Sequence, residues 1–214
     1  MDSRDQLSDM LRQGVVGLGL DISQEKFHAL LDYLMLLDKW NVAYNLSGIK
    51  DVKKMVAYHL VDSLAVVPYI NGQVMLDVGT GAGLPGIPLA ICYPDKEFLL
   101  LDSNGKKTRF LFQVKAELAL NNLTVFHDRT ENFQSPRQID IVLCRAYAAL
   151  ELVARQTEHL MTENSTLLAM KGQYPQDEID ALPERFRVRQ SWQLEVPGIE
   201  GSRHLIEIVL AGKK

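Results

Sequence analysis

The sequence predicts an α/β fold: a seven-stranded sheet with a closing antiparallel hairpin, preceded by an N-terminal helical part. Apolar residues up to about residue 70 recur three and four positions apart, which is the spacing of one helix face. From Val74 onward, short apolar runs alternate with helical patterns, as in parallel sheets covered by helices on both faces. The last two apolar segments have no helical pattern between them, which indicates an antiparallel pair.

The N-terminal part contains three predicted helices, two of which follow a good N-cap residue. Ser23 precedes the second helix and Asp51 the third, and both side chains can accept hydrogen bonds from the free N–H groups of a first turn. On the third helix, His59 and Asp62 are neighbours, predicted to hold the helical part on the sheet; a place near a cofactor is the alternative for His59. The three apolar stripes consist of Leu7, Met10, Leu11 and Val15; of Phe27, Leu30, Leu31, Leu34 and Leu37; and of Met55, Val56, His59, Leu60, Ser63, Leu64 and Val67.

The predicted parallel strands are five short apolar runs. They are nearly continuous rather than alternating, which is typical of strands buried on both faces. The runs span 74–78, 97–102, 123–127, 139–144 and 165–170, and the helical patterns between them span 86–93, 104–120 and 148–162.

The closing hairpin is predicted from segments 185–196 and 203–211, joined by the turn-like "PGIEGS". The domain prediction is therefore a helical part over residues 1–70, packed on a sheet domain over residues 71–214, the two forming one compact unit. No internal repeat is visible.

Composition indicates a cytoplasmic protein without a membrane segment. No apolar run approaches the roughly 20 residues that span a bilayer. The acidic start "MDSRDQLSDM" has no signal-peptide pattern. Two distant cysteines indicate neither a disulfide framework nor a metal site. The net charge is −4, from 23 basic and 27 acidic residues, which argues against nucleic-acid binding through a global basic field.

A glycine-rich loop follows the first predicted strand and opens a helix, the place where an open α/β sheet binds its ligand. Two registers compete. Gly81-x-Gly83-x-x-Gly86 matches the dinucleotide fingerprint, whereas Asp77-x-Gly79-x-Gly81-x-Gly83 matches the nucleoside-binding motif of methyltransferases. A tight strand-to-helix turn without a ligand is the structural alternative.

The acids around this loop favour S-adenosylmethionine over a dinucleotide. Asp102 ends the second strand, about 20 residues on, where an acid reaches a ribose hydroxyl in either case. A dinucleotide brings an anionic pyrophosphate, while S-adenosylmethionine brings a cationic sulfonium. Asp77 beside the loop is therefore predicted to suit the second ligand and repel the first.

Several segments together give the sequence a family resemblance. In order along the chain they are "YNLSGI", "HLVDSL", "DVGTGAGLPGIPLA", "LLDSNGKKTRFL", "CRAYA", "MKGQ" and "RHL". From about Trp40 to Leu210 the chain resembles the bacterial small-subunit ribosomal RNA methyltransferase G family, also called glucose-inhibited division protein B. The resemblance implies a seven-stranded Rossmann-like methyltransferase sheet after an N-terminal helical part. It also implies transfer of a methyl group from S-adenosylmethionine to N7 of a guanine, position 527 in the 530 loop of 16S rRNA.

The resemblance also implies which residues contact the methyl donor: Gly79, Leu84, Thr130, Glu131 and Arg145. Arg145 ends the fourth strand, where a charged residue usually faces the ligand crevice, and it is the predicted catalytic residue. A strand-capping surface arginine is the alternative.

The segment "CRAYA" lacks the Asn/Asp-Pro-Pro-Tyr/Phe motif common in methylation of exocyclic amines. Guanine N7 has a lone pair and no proton to lose, so positioning can supply most of the catalysis without a general base. Cys144 is interpreted as a buried small hydrophobe rather than a thiolate nucleophile for cytosine C5.

RNA contact is predicted at Lys106, Lys107 and Arg109, which begin the helix after the second strand. A solvated helix face is the alternative. Two further groups are candidate RNA contacts. They are the patch Lys50, Lys53 and Lys54, and the aromatic segment Trp40, Asn41, Tyr44 and Asn45, either a lip over the substrate base or a joint to the sheet.

The predicted partner is 16S rRNA in the small ribosomal subunit or its assembly intermediate, and the protein is expected to act as a monomer. The alternatives are a methyltransferase on another RNA, a protein or a small molecule, and a nucleotide- or RNA-binding module without activity. A dehydrogenase is the third alternative, weakened by Asp77.

Overall fold

The computed structural model describes residues 3–212 and contains seven strands and eight α-helices in that range. The strands are β1 (Val74–Val78), β2 (Glu97–Asp102), β3 (Leu123–His127), β4 (Ile141–Arg145), β5 (Thr166–Lys171), β6 (Phe186–Gln193) and β7 (His204–Leu210). The helices are α1 (Ser3–Gly17), α2 (Gln24–Tyr44), α3 (Val52–Met55), α4 (Asp62–Leu64), α5 (Gly86–Cys92), α6 (Gly105–Glu117), α7 (Leu150–Thr157) and α8 (Gln176–Asp180).

The seven strands form one sheet in the order β3-β2-β1-β4-β5-β7-β6. Strands β1 to β5 pair in parallel, and β7 pairs antiparallel with both β5 and β6. The predicted five-stranded alternation and the antiparallel closing pair are confirmed. The carboxyl ends of β1, β2 and β4 meet at one edge of the sheet, and the start of β7 lies at the same edge because Lys171 faces His204.

The predicted helix caps are confirmed. The Ser23 side chain accepts a hydrogen bond from the Lys26 N–H at 3.4 Å, and the Asp51 side chain accepts one from the Lys53 N–H at 2.9 Å. Helix α2 ends at Asn45, whose φ of 51° is left-handed, a conformation that Asn adopts more readily than most residues.

The third helical stripe differs from the prediction. Instead of one helix, the chain forms α3, a π-helical segment Val56–Val61, and α4. The long pattern at 148–162 likewise ends earlier, with α7 followed by a 3₁₀ turn over Glu158–Leu160. Helix α8 lies between β5 and β6, where no helical pattern was predicted.

Each face of the sheet buries its own hydrophobic cluster. Helices α5 and α6 pack on one face and the N-terminal helices α2 and α4 pack on them, in a cluster that extends from Leu7 through Phe110 to Leu205. Helix α7 covers the other face, where Val153 packs near Val142. Fully burying a leucine or valine contributes roughly 1.5–3 kcal/mol. The helical part and the sheet domain thus share one core across the predicted boundary near residue 70.

A buried hydrogen bond joins the helical part to the glycine loop. Tyr33 in the middle of α2 is fully buried, and its hydroxyl donates to the Ala82 carbonyl at 2.8 Å. Burial raises the pKa of Tyr33, so the hydroxyl stays protonated and remains a donor.

Within residues 3–212, no helix combines the length and the apolar character needed to cross a bilayer.

Candidate functional site

Asp77 lies beneath the glycine loop. Its side chain is 1% exposed, and one carboxylate oxygen accepts hydrogen bonds from the Thr80 hydroxyl at 2.6 Å and the Gly86 N–H at 2.9 Å. Burial is the main reason that the pKa of Asp77 rises to about 7. The other oxygen has no hydrogen-bond partner among the described residues.

This position changes the explanation of the Asp77 motif. We predicted that the carboxylate stands beside the ligand, but it is buried and does not line the cleft described below. It reaches instead the first N–H of α5, the helix end to which a dinucleotide fold directs its pyrophosphate. Because Asp77 already accepts the hydrogen bond of that N–H, a pyrophosphate has no free donor there, and this still argues against a dinucleotide.

The glycines of the loop have different roles. Gly79, Gly81 and Gly83 all have positive φ values, of 61°, 62° and 92°. The Gly81 N–H donates to Asp102 at 2.9 Å, which joins the loop to the end of β2. Gly83 and Leu84 point into the interior: a Cβ on Gly83 would overlap the Ile87 side chain, and Leu84 is 5% exposed. Among the loop residues 79–84, only Gly79 lines the cleft described next.

The cleft has a volume of about 430 Å³ and lies at the carboxyl ends of the strands, within the size range of small-molecule sites. It brings together four of the predicted donor residues: Gly79, Asp102, Thr130 and Glu131. The rest of its lining is Ser103, Asn104, Lys107, Asp128, Arg129, Ala146, Tyr147 and Gln156.

The charges of this lining fit a cationic ligand. Asp102, Asp128 and Glu131 are acidic, and two cations balance part of that charge. Lys107 lies 3.8 Å from Asp102, and Arg129 lies 3.8 Å from Glu131, so Asp128 is the acid left over in the lining. A surplus negative charge attracts a sulfonium or an ammonium group and repels a pyrophosphate.

Backbone groups hold the Asp102 carboxylate in a fixed orientation. One oxygen accepts from the Gly81 N–H and the other from the Asn104 N–H at 2.8 Å. Each carboxylate oxygen has a second lone pair, so Asp102 can still accept hydroxyl hydrogen bonds from a ribose in the cleft.

Tyr147 is a cleft residue that sequence reasoning missed. Its ring lies against Gly79, because a Cβ on that glycine would overlap the ring. Its hydroxyl donates to the Gln156 side chain at 2.9 Å and lies 3.2 Å from the Thr130 hydroxyl. The preceding Ala146 has a φ of 49°, unusual for a residue other than glycine. The segment "CRAYA" contains Tyr147, but nothing in its spacing indicates that this ring reaches the glycine loop.

Arg145 lies at the same edge of the sheet but is turned away from the cleft. Its guanidinium donates to Asp62 and to the Tyr58 carbonyl, both at 2.9 Å, and it does not line the cleft. Arg203, which precedes β7, donates to the other Asp62 oxygen at 3.0 Å. We predicted that Arg145 faces the methyl donor; in the structure its guanidinium lies in a largely buried cluster with Asp62 of α4, and its contact with the donor stays a prediction.

His59 belongs to this cluster. Its ring lies 2.7 Å from the Ser47 hydroxyl and 3.4 Å from the Arg145 guanidinium. Burial, and secondarily the Arg145 charge, lowers the pKa of His59 to about 4, so the ring is neutral near pH 7. The predicted contact of His59 with Asp62 is replaced by contact of both residues with Arg145.

The three predicted RNA-binding residues on α6 separate. Lys106 and Arg109 are exposed, whereas Lys107 is half-buried, lines the cleft and pairs with Asp102. Lys107, three places after the N-cap Asn104, therefore contacts the end of β2, and its part in RNA binding stays a prediction.

No group of three or more His, Cys, Asp or Glu side chains in the part of the chain that the structure describes could hold a metal ion. Cys144 and Cys92 are free and buried. Burial raises the pKa of Cys144 to about 12, so its thiol stays protonated and is a poor nucleophile.

Solved structures with the same fold are methyltransferases. The structure is similar to a SAM dependent methyltransferase from Aquifex aeolicus, with a TM-score of 0.58 and 15% identity over 78% of this chain and 97% of that one. It is also similar to magnesium protoporphyrin IX methyltransferase from Synechocystis with bound SAM, with a TM-score of 0.59 and 17% identity over 84% and 98% of the two chains. At these identities the likeness concerns the fold alone.

Comparison of sequences gives the family. The model of rRNA small subunit methyltransferase G matches residues 26–206. Ribosomal RNA small subunit methyltransferase G of Nitrosococcus oceani is 48% identical over 200 residues, 94% of this chain and 94% of that protein. The protein of the same name from Pseudomonas paraeruginosa is 50% identical over 93% of this chain and 94% of its own length. The chain therefore belongs to the rRNA small subunit methyltransferase G family.

Proposed function

We propose that this protein transfers a methyl group from S-adenosylmethionine to N7 of a guanine, position 527 of the 530 loop, in 16S rRNA. The observation that carries the proposal is the cleft at the sheet edge, which joins Gly79, Asp102, Thr130 and Glu131 in an acid-rich lining. Membership of the family supports the RNA as the substrate, and the acid surplus supports a cationic methyl donor.

The residues of the cleft would hold the donor in distinct ways. Asp102 accepts from the ribose hydroxyls while the Gly81 and Asn104 N–H groups fix its carboxylate. Gly79 leaves its backbone uncovered toward the cleft. Asp77 serves the site indirectly, by holding the loop from below through Thr80 and Gly86. When bound, the donor supplies an electrophilic methyl group on a sulfonium.

The proposed reaction needs no general base, because guanine N7 attacks with a lone pair that carries no proton. The carboxylates of the lining, Asp102, Asp128 and Glu131, are therefore assigned to binding of the donor and not to proton transfer. The task of the protein is then to position the base in line with the methyl group and to exclude water. We propose that Arg145 helps to position the target guanine from beside the cleft. Its guanidinium is held in place by Asp62 and the Tyr58 carbonyl.

The substrate form is proposed to be the small ribosomal subunit or its assembly intermediate, bound by a monomer in the cytoplasm. Lys106 and Arg109 supply phosphate contacts at the mouth of the cleft, because they lie on the exposed side of the helix whose first turn lines it.

The decisive experiment incubates small subunits that lack the modification with labelled S-adenosylmethionine and then maps the methyl group. A label at N7 of one guanine in the 530 loop supports the proposal. A label on protein or on another RNA would support a different methyltransferase, and donor binding without transfer would support a binding module. Arg145→Ala and Arg145→Lys, checked for folding, test the catalytic role: wild-type turnover in a folded Arg145→Ala protein would remove it.

A further inference from the structure

An aromatic stack ends helix α2. The rings of Tyr44 and Trp40 are stacked, with centroids 5.1 Å apart and an interplanar angle of 29°. Trp40 packs in turn on Phe110 of α6 at 5.7 Å, and Phe110 is fully buried. Tyr44 is 44% exposed, so it presents a flat ring to solvent on a backing that reaches the core.

The stack packs on α6, the helix whose first turn lines the cleft. Phe110 lies one turn beyond Lys107, which lines the cleft. The loop after Tyr44 is fixed from both ends: Asn41 donates to the Ile49 carbonyl at 2.8 Å, and Ser47 reaches His59 beside Arg145. Tyr44 is thus placed by rigid neighbours on both the α6 side and the Arg145 side of the sheet edge.

Uncompensated cations lie on or next to α3 and α6, two of the elements that α2 packs against. Each is exposed, and none forms an ion pair with an acidic side chain within residues 3–212. They are Lys50, Lys53 and Lys54 at the start of α3, and Lys106 and Arg109 on α6. Even with the exposed Asp51 among them, these five cations give the two segments an excess of positive charge in a chain of net charge −4.

We infer that Tyr44, backed by Trp40, is a platform on which an unpaired base of the ribosomal RNA stacks, while the cations of α3 and α6 hold the phosphates on either side. Exposed aromatic rings between basic side chains are the common way in which proteins hold single-stranded nucleic acid, since every base has a flat face. The inference rests on the proposed function and adds to it the surface that grips RNA next to the methylated base.

The test separates stacking from charge. Tyr44→Ala and Tyr44→Leu should each raise the Michaelis constant for unmodified small subunits about tenfold. Leucine keeps apolar cover on Trp40 but has no flat ring. Tyr44→Phe should stay near wild type. The affinity for S-adenosylmethionine, measured by calorimetry, should not change in any of the three, because Tyr44 does not line the cleft.

A salt series supplies the second readout. Phosphate contacts release counterions, each adding roughly −0.7 to −0.9 to the slope of log affinity against log salt, whereas stacking releases none. The slope should therefore be unchanged in Tyr44→Leu and flatter in the double variant Lys53→Glu, Lys54→Glu. Val42→Ala is the matched control, since Val42 is 89% exposed on the same helix end and has no ring.

Three results would overturn the platform: an unchanged Michaelis constant in folded Tyr44→Leu, a Tyr44→Phe variant as impaired as Tyr44→Leu, or an equal loss in Val42→Ala. Failure of the proposed function is a different observation, because it would show in the wild-type protein as absence of the methyl group from the 530 loop.

Discussion

Gly79 meets two requirements that only glycine satisfies. Its φ of 61° is disfavoured for other residues, and its missing side chain leaves the space in which the Tyr147 ring lies. We expect Gly79→Ala to weaken binding of S-adenosylhomocysteine at least tenfold in calorimetry and to lower the free energy of unfolding by about 1–3 kcal/mol. Gly79→Val should be worse, because a branched side chain resists positive φ more strongly.

Gly48→Ala is the control for that variant, since a Cβ at Gly48 meets no atom within 4 Å and its φ is not positive. If Gly79→Ala binds donor like the control, the contact between Gly79 and the Tyr147 ring is not a requirement of the site.

The hydroxyl of Tyr147 gives a second prediction for a single residue. It ties the loop after β4 to Gln156 of α7 and to Thr130 after β3. A hydrogen bond contributes about 1 kcal/mol net, so Tyr147→Phe should weaken donor binding by roughly 3- to 10-fold with little change in turnover at saturating donor. Tyr174→Phe, on an exposed ring outside the cleft, serves as the comparison. Equal donor affinities in the two variants would mean that the hydroxyl does not organise the cleft.

We expect two adjacent residues of α6 to separate donor binding from RNA binding. Lys107 pairs with Asp102 at 3.8 Å in the cleft, whereas Lys106 is exposed. Lys107→Glu should weaken donor binding, because the new carboxylate repels Asp102 from the orientation in which it accepts from the ribose, and this loss should outweigh the added attraction for the sulfonium. Lys106→Glu should leave donor binding unchanged and raise the Michaelis constant for the ribosomal substrate. Calorimetry and methylation kinetics of the two single variants check this, and identical profiles would contradict it.

His59, in the π-helical segment, makes the free energy of unfolding depend on pH. The pKa of His59 is about 4 when folded, against about 6.5 when unfolded, so the unfolded chain binds the extra proton first. The contribution of neutral His59 to the free energy of unfolding is complete above about pH 6.5 and is lost as the pH falls toward 4. At pH 5 the free energy of unfolding is lower by about 2 kcal/mol.

Urea unfolding of wild type and His59→Gln at pH 7 and pH 5 measures this contribution to the free energy of unfolding. The variant should show a smaller difference between the two pH values, since the carboxylates common to both proteins contribute equally. An equal difference would mean that His59 titrates normally.

The elements were largely predictable, and the exceptions have physical reasons. Strands β1, β2, β4 and β5 are nearly uniform apolar runs, because both faces of a central parallel strand are covered, whereas the edge strand β3 alternates between buried and partly exposed residues. The π-helical segment was missed because Val56, Ala57, Leu60 and Val61 are apolar at spacings that fit a π-helix as well as an α-helix. The short α8 carries no apolar face, so its sequence gives no periodic signal.

The site was predictable only where a motif is local. The glycine loop and Asp102 stand in a fixed spacing after two strands, and the structure brings them together by the bond from Gly81. Arg145 meets Asp62 across 83 positions and Tyr147 meets Thr130 across 17, so no spacing rule reports either contact. Packing sets the direction in which the buried Asp77 carboxylate points, so its place in the sequence motif does not predict that direction.

For the molecule as a whole, Asp62 is a point where three distant segments meet. It is 5% exposed and pairs with Arg145 from β4 and with Arg203 before β7. Asp62→Ala leaves two partly buried guanidinium groups without their carboxylate and should lower the free energy of unfolding by about 3 kcal/mol or more. Asp32→Ala, which breaks an exposed pair with Arg4, should cost less than about 1 kcal/mol. Similar urea midpoints for the two variants would contradict this.

The place of β7 between β5 and β6 has a consequence for synthesis of the chain. Strand β6 is made first, yet its partner in the sheet is β7, and Leu205 of β7 belongs to the same cluster as Leu7 of α1. Strand β7 leaves the exit tunnel nearly 200 residues after α1. Until then the leucines of α1 and α2 are incompletely covered. A nascent chain stalled before residue 204 would present both an unpaired β6 and an open core, the features by which chaperones and proteases recognise unfinished proteins.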